Sequence, residues 1–143
     1  MTQTTDTLKT VLADTYALYL KTQNYHWNVE GPRFKELHDL FELQYTELVG
    51  AIDVIAELIR ALGEKAPGSF AAYSAHTTIA EGDEGANAEQ MIAQLHQDNQ
   101  IIQKTLQSAL AAAEAENDAV VADAMTQRLA VHQKNTWMLG SMR

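Results

Sequence analysis

Apolar side chains recur along this chain with a period close to 3.6 residues. Nowhere do they show the strict alternation of a half-buried strand. Over residues 5–29, Leu8, Val11, Leu12, Thr15, Leu18 and Tyr19 fall on one helical face. Gly31-Pro32 then marks a boundary, because glycine suits the cap that ends a helix and proline suits the first turn of the next. A second helix is predicted over 33–62, with the stripe Leu37, Phe41, Leu48, Ile52, Ile55, Ile59 and Leu62 stopped by Gly63. Asn87 with Gln90 three residues on reads as a capping box. It opens a third helix over 88–115, carrying Ile92, Leu95, Ile102, Leu106 and Leu110. Asn117-Asp118 breaks that helix and caps a fourth over 119–140, with Ala122, Met125, Leu129 and Leu139.

The link over 63–86 is too long for a structureless connection inside a compact domain. Ser69 to Tyr73 is read as a short helix within it, and Glu81 to Gly85 as a mobile acidic turn. Four long helices, paired by two short turns and joined by one long link, predict an all-α four-helix bundle with a short extra helix. At 143 residues and 46% apolar content, residues 1–143 make one domain with an ordinary core. No apolar run approaches a membrane span, and Met1 to Thr10 has no secretory pattern. The absence of cysteine removes disulfides, thiolate metal sites and thiol nucleophiles, and fits a reducing cytoplasm. A net charge of −9, with lysines and arginines scattered singly, disfavours nucleic-acid phosphates and favours cations.

The second helix carries the candidate chemistry. At 100° per residue, with His38 at zero, Glu42 falls at about 40°, Asp53 at about 60° and Glu57 at about 100°. The apolar stripe is centred about 130° away, so these four ligand-type residues do not aim at the bundle's own core. Tyr45, Val49, Ile52 and Ala56 lie within or beside the same arc. An arc that mixes ligands with apolar residues predicts a surface covered by a second subunit. Asp53 is about 22 Å along the helix from His38, far beyond the reach of one coordination shell. An antiparallel two-fold partner sets His38 and Glu42 of one chain against Asp53 and Glu57 of the other, making two equivalent sites. His26, at the end of the first helix, joins the His38 end through the Gly31-Pro32 turn. Mixed imidazole and carboxylate donors suit Fe(II), Mn or Zn, and hard oxygens favour Fe(III) as it forms.

Other residues weigh less. Each i,i+4 ligand pair is commonplace by itself. His132 falls on the core stripe of the fourth helix and is read as a buried or interfacial histidine rather than a ligand. His76 and His96 have no spaced partners. Met91, Met125, Met138 and Met142 are read as core or end residues, and Trp27 and Tyr25 as packing residues or electron donors beside His26. No glutamate precedes a histidine by three residues, which argues against a di-iron site inside one bundle.

The run Tyr25-His26-Trp27-Asn28-Val29-Glu30-Gly31-Pro32, followed by Phe34, His38 and Asp53-x-x-x-Glu57, closely resembles the Dps family of mini-ferritins. His132-x-x-x-x-Trp137-Met138 fits it too, so the resemblance spans nearly the whole chain. It implies a ferritin-like bundle assembled into a hollow dodecamer. It implies Fe(II) oxidation, preferentially by hydrogen peroxide, at sites between two-fold-related subunits, with ferric mineral stored inside. The family's site residues map onto His26, His38, Asp53 and Glu57. Position 42 is usually Asp in the family and is Glu here, which bears on the second iron position. The family's acidic pores lie near the start of the last helix, where Glu116, Asp118 and Asp123 are candidates; Asp118 also suits an N-cap. Many members bind DNA through a lysine-rich tail. Here the tail has no lysine before Lys9, and twelve copies would carry about −108, so repulsion from DNA is expected. Two rival readings remain at this level: a nucleoid-associated, DNA-protecting structural protein with weak metal sites, and a redox-inactive bundle holding zinc.

Overall fold

A computed structural model describes residues 2–143 and contains five helices. They are α1 (Gln3–Asn28), α2 (Phe34–Ala61), α3 (Phe70–His76), α4 (Ala88–Ala115) and α5 (Ala119–Ser141). Met1, part of the lysine-free tail, lies outside the described residues. Short turns fold α2 back along α1 and α5 back along α4, and α1 packs on α4 to join the two hairpins. α3 packs on α1, while α2 and α5 barely meet. The fold is the all-α four-helix bundle, with its short extra helix in the link between the second and third long helices.

Local sequence explains the helix ends. Asn87 accepts from the Gln90 N–H at 2.9 Å while its own N–H donates to the Gln90 side chain at 2.8 Å, the reciprocal box expected there. Asp118 caps α5 by accepting from the Val121 N–H at 3.0 Å. Asn117 takes a left-handed φ of 58°, and the Asp118 N–H reaches back to the Ala113 carbonyl at 2.8 Å, which ends α4. Gly31 (φ 113°) and Gly63 (φ 96°) supply the left-handed backbone after α1 and α2. Pro32 sits in the connecting turn rather than in the first turn of α2, which begins at Phe34 because the Phe34 N–H closes onto the Gly31 carbonyl. Arg33, in the same turn, donates to the Met142 carbonyl at 2.7 Å and pairs with Glu89, so it ties this turn to the ends of α5 and α4.

Leu8, Leu12, Leu18, Leu37, Phe41, Leu48, Ile55, Ile59, Ile92, Leu95, Ile102, Leu106, Met125 and Leu139 fill the core. Leu62 was expected to continue the α2 stripe but is 40% exposed, since the helix has ended there. The core is also more polar than periodicity suggests. Asp14 is fully buried and accepts from the Thr77, Thr78 and Thr105 hydroxyls and the Thr78 N–H, at 2.6–2.8 Å. His132 is fully buried between the Asn99 side chain and Arg128. The acidic turn expected to be mobile is fastened to α1: the Asp83 N–H donates to the Tyr25 hydroxyl at 2.9 Å, and Lys21 donates to the Ala80 carbonyl at 2.9 Å. No helix among the described residues is long and apolar enough to cross a membrane.

Candidate metal centre

The tight turn at Gly31 brings the last turns of α1 against the first turns of α2, and with them His26 against His38. Their rings stack with centroids 3.8 Å apart and planes 16° from parallel. His26 Nδ1 lies 2.7 Å from the His38 carbonyl oxygen, and His38 Nδ1 lies 2.7 Å from the His26 carbonyl oxygen. A carbonyl only accepts, so each Nδ1 carries the hydrogen and donates. In the neutral form of each ring it is then Nε2 that carries the lone pair. Such a bond fixes both tautomer and ring orientation, which is what a metal-binding imidazole requires. The His26 carbonyl is one of the helix-end acceptors that α1 cannot satisfy internally, so the pair also serves as a cap.

Packing holds the pair on both sides. Phe34 stacks on His38 at 4.9 Å, and Tyr45 meets His26 edge-on at 5.2 Å. His26 is buried, His38 half-buried and Glu42 exposed, with Glu42 Oε1 3.6 Å from His26 Nε2. The site is therefore a recessed imidazole pair with a carboxylate at its mouth.

The remaining two candidates stand apart. Asp53 and Glu57 lie on exposed positions farther along α2, with no hydrogen bond or ion pair to either among the described residues. Val49 and Val54, beside Asp53 on the same helix, are 48% and 54% exposed. Among the described residues of one chain, no three histidine or carboxylate side chains converge closely enough to hold an ion. His38 and Glu42, with His26 of α1 stacked on His38, thus form one half-set and Asp53 and Glu57 another, along the same face of α2.

His132 is buried, as its place on the core stripe indicated. Its Nδ1 lies 2.8 Å from Asn99 Oδ1 and its Nε2 3.2 Å from an Arg128 guanidinium nitrogen, with Arg128 in turn paired to Glu47. Burial first, and the Arg128 charge second, push its pKa down to about 3, so it is neutral. Periodicity placed His132 but gave no sign of its partner Asn99, nor of Glu47, the partner of Arg128; both lie on other helices. Among the pore candidates, Asp118 is the α5 cap, Glu116 accepts from the Thr4 hydroxyl at 2.5 Å, and Asp123 accepts from the Gln127 side chain at 2.8 Å.

Known proteins share this fold. The family model of the ferritin-like domain matches residues 5–143. "DNA protection during starvation protein 2" of Bacillus anthracis is 33% identical over 96% of this chain and 94% of its own length. The crystal structure of a Dps protein from Bacillus brevis superposes with a TM-score of 0.94 at 32% identity, covering 97% of this chain and 93% of that one. A Dps protein from Vibrio cholerae O1, described as a member of a broad superfamily of ferritin-like diiron-carboxylate proteins, superposes with a TM-score of 0.93 at 29% identity over 97% and 87% of the two chains. With a ferritin-like match over nearly its whole length and close Dps relatives in both sequence and fold, the chain belongs to the Dps family of ferritin-like proteins.

Proposed function

We propose that this protein is a ferroxidase and iron-storage mini-ferritin. Fe(II) binds between two-fold-related subunits, where hydrogen peroxide oxidises it, and ferric mineral collects inside a hollow dodecamer. The observation that carries this reading is the split ligand set. Two imidazoles with fixed tautomers and free Nε2 atoms sit at one end of an uncovered helix face, and two exposed carboxylates sit at the other. Antiparallel pairing of two such faces completes two sites at once. His26, His38 and Glu42 of one chain, with Asp53 and Glu57 of the other, give a mixed nitrogen and oxygen shell that suits Fe(II) and holds Fe(III).

The chemistry follows from electron count. Peroxide takes two electrons to become water, and each Fe(II) supplies one. Two Fe(II) ions held together therefore reduce it without releasing hydroxyl radical. Protection of DNA, the role in the names of its relatives, then comes from removing iron and peroxide in the cytoplasm rather than from coating the duplex, given the net charge of −9 per chain. The longer Glu42 side chain sets the second iron position, and zinc competes for the same donors.

The test is anaerobic Fe(II) loading of the assembled protein, followed by half an equivalent of hydrogen peroxide against an oxygen-only control. The reading requires rapid ferric absorbance at two Fe(II) per peroxide. Oxidation no faster than without protein, with zinc retained through purification, would favour the redox-inactive bundle. Retardation of DNA in a low-salt gel shift would favour the nucleoid-associated reading.

A further inference from the structure

Four of the chain's five tyrosines form an unbroken file of ring contacts leading away from the histidine pair. Tyr45 of α2 meets His26 at 5.2 Å, Tyr19 of α1 lies 6.0 Å from Tyr45, Tyr16 lies 5.6 Å from Tyr19, and Tyr73 of α3 stacks on Tyr16 at 4.7 Å. The fifth, Tyr25, stands outside the file, its hydroxyl held by Gln94 and the Asp83 N–H. Phenylalanine would serve packing alone, as Phe34 does on the other side of His38. A phenol differs in that it can give up an electron together with its proton. With no cysteine in the chain, tyrosine and tryptophan are the ring-bearing donors available.

In the single chain the far end of the file opens to solvent. Tyr16 and Tyr73 line an open groove of about 550 Å³ between α1, α3 and the link, together with Leu20, Phe70 and Ile79. Phe70, on its rim, is 77% exposed. An apolar, aromatic groove of this size admits a small organic molecule.

We propose that Tyr45, Tyr19, Tyr16 and Tyr73 form a one-electron relay from the histidine pair to this groove. The inference rests on the peroxide-dependent reading above and concerns a site that holds one Fe(II) instead of two. Peroxide then finds only one electron in the metal. The second comes from the Tyr45 phenol. The O–O bond breaks, Fe(II) becomes Fe(III), and Tyr45 becomes a neutral phenoxyl radical. Its phenolic proton and one proton from solvent join the two protons already on peroxide to give two waters. The phenoxyl is then refilled along the file. At each step the radical ring regains an electron and a proton, and the next phenol loses one of each. It ends at Tyr73, where a small hydrogen-atom donor in the groove restores the phenol.

The experiment uses the assembled full chain, loaded anaerobically with one Fe(II) per site and mixed with peroxide in the presence of a nitroso spin trap. Ferric absorbance, the electron paramagnetic resonance signal and the peptide carrying the trap adduct are recorded together. The relay requires a tyrosyl signal at half loading that is absent at full loading, with the adduct on Tyr73. Tyr19→Phe keeps the ring but interrupts the relay. It should leave ferric absorbance at full loading unchanged, remove the Tyr73 adduct and move the label to Tyr45. An adduct on Trp27, which is 60% exposed beside His26, or a Tyr73 adduct that survives Tyr19→Phe, would overturn the relay while leaving the iron chemistry intact. Absence of protein-dependent ferric absorbance in the unmutated chain would overturn the peroxide reading and the relay with it.

Discussion

Lys21 of α1 and Asp98 of α4 form an ion pair at 2.8 Å, with side chains only 4% and 6% exposed. It spans the α1–α4 contact that joins the two helical hairpins. Burial pushes the Asp98 carboxyl above its usual range, and the Lys21 ammonium draws it back. The Lys21 ammonium thus offsets part of the cost of burying the Asp98 carboxylate. Lys21→Met alone or Asp98→Leu alone strands a buried charge and should lower stability by about 3–5 kcal/mol, whereas the double replacement should be close to neutral. Urea unfolding of the three variants, arranged as a double-mutant cycle, measures the coupling. Equal, additive losses would mean that the pair is not energetically coupled.

His132 gives the protein an acid-sensitive element away from the His26–His38 pair. In the fold its pKa is about 3, against an ordinary value of 6.5 for the unfolded chain. Between these values the unfolded chain binds a proton that the native chain excludes, so stability falls as pH falls. The contribution is fully present above about pH 6.5 and is lost at about 1.4 kcal/mol per pH unit below it, until the native histidine itself titrates. Asn99 and Arg128 contact the ring, and Glu47 pairs with Arg128. His132→Gln should remove this part of the slope, read as unfolding midpoints from pH 7 to pH 4 at constant protein concentration. An unchanged slope would assign the acid sensitivity to other groups.

Asp14 should prove to be the fastener of the long link. Its two oxygens accept four hydrogen bonds, three of them from Thr77 and Thr78 at the end of α3. Asp14→Ala leaves these donors without an acceptor and should cost about 3 kcal/mol or more. It should also expose residues 77–86 to limited proteolysis while α4 and α5 stay resistant. Asp14→Asn keeps an acceptor oxygen and should be milder on both counts. Cleavage elsewhere in the chain would show that the link is held by Lys21 and Tyr25 instead.

Much of this architecture was legible because helices announce themselves locally. The Asn87–Gln90 box, the Asp118 cap and the Gly31 turn are each written in a few adjacent residues, and the structure contains all three. The wheel position of Glu42, Asp53 and Glu57 away from the stripe of Leu37, Phe41 and Ile55 likewise needed only one helix, and these three are exposed while the stripe is buried. What did not show was contact between distant segments. Asp14 meets Thr105 across ninety-one positions, and Glu47 meets Arg128 across eighty-one. No periodicity encodes such pairs, because each partner looks like an ordinary surface residue on its own helix. The same holds for the locking of His26 by His38. Spacing brought the two together, but exchange of Nδ1–H bonds between their carbonyls depends on how tightly the Gly31 turn closes.

The split of the ligand set predicts complementation between damaged chains. His38→Ala removes a donor from one half-set and Asp53→Ala from the other. Both positions lie away from the bundle core, so the bundle should fold in either variant, and each variant alone should lose rapid peroxide-dependent iron oxidation. If each site takes its imidazoles from one chain and Asp53 from the two-fold partner, a mixed dimer contains one doubly damaged site and one intact site. Unfolding and reassembling equal amounts of the two variants makes half of the dimers mixed, and should therefore recover about a quarter of the parental activity. Sites built within single chains would recover nothing, because every chain in the mixture carries a lesion. Recovery near a quarter, with neither variant active alone, would establish that the uncovered face of α2 is the surface on which iron is bound.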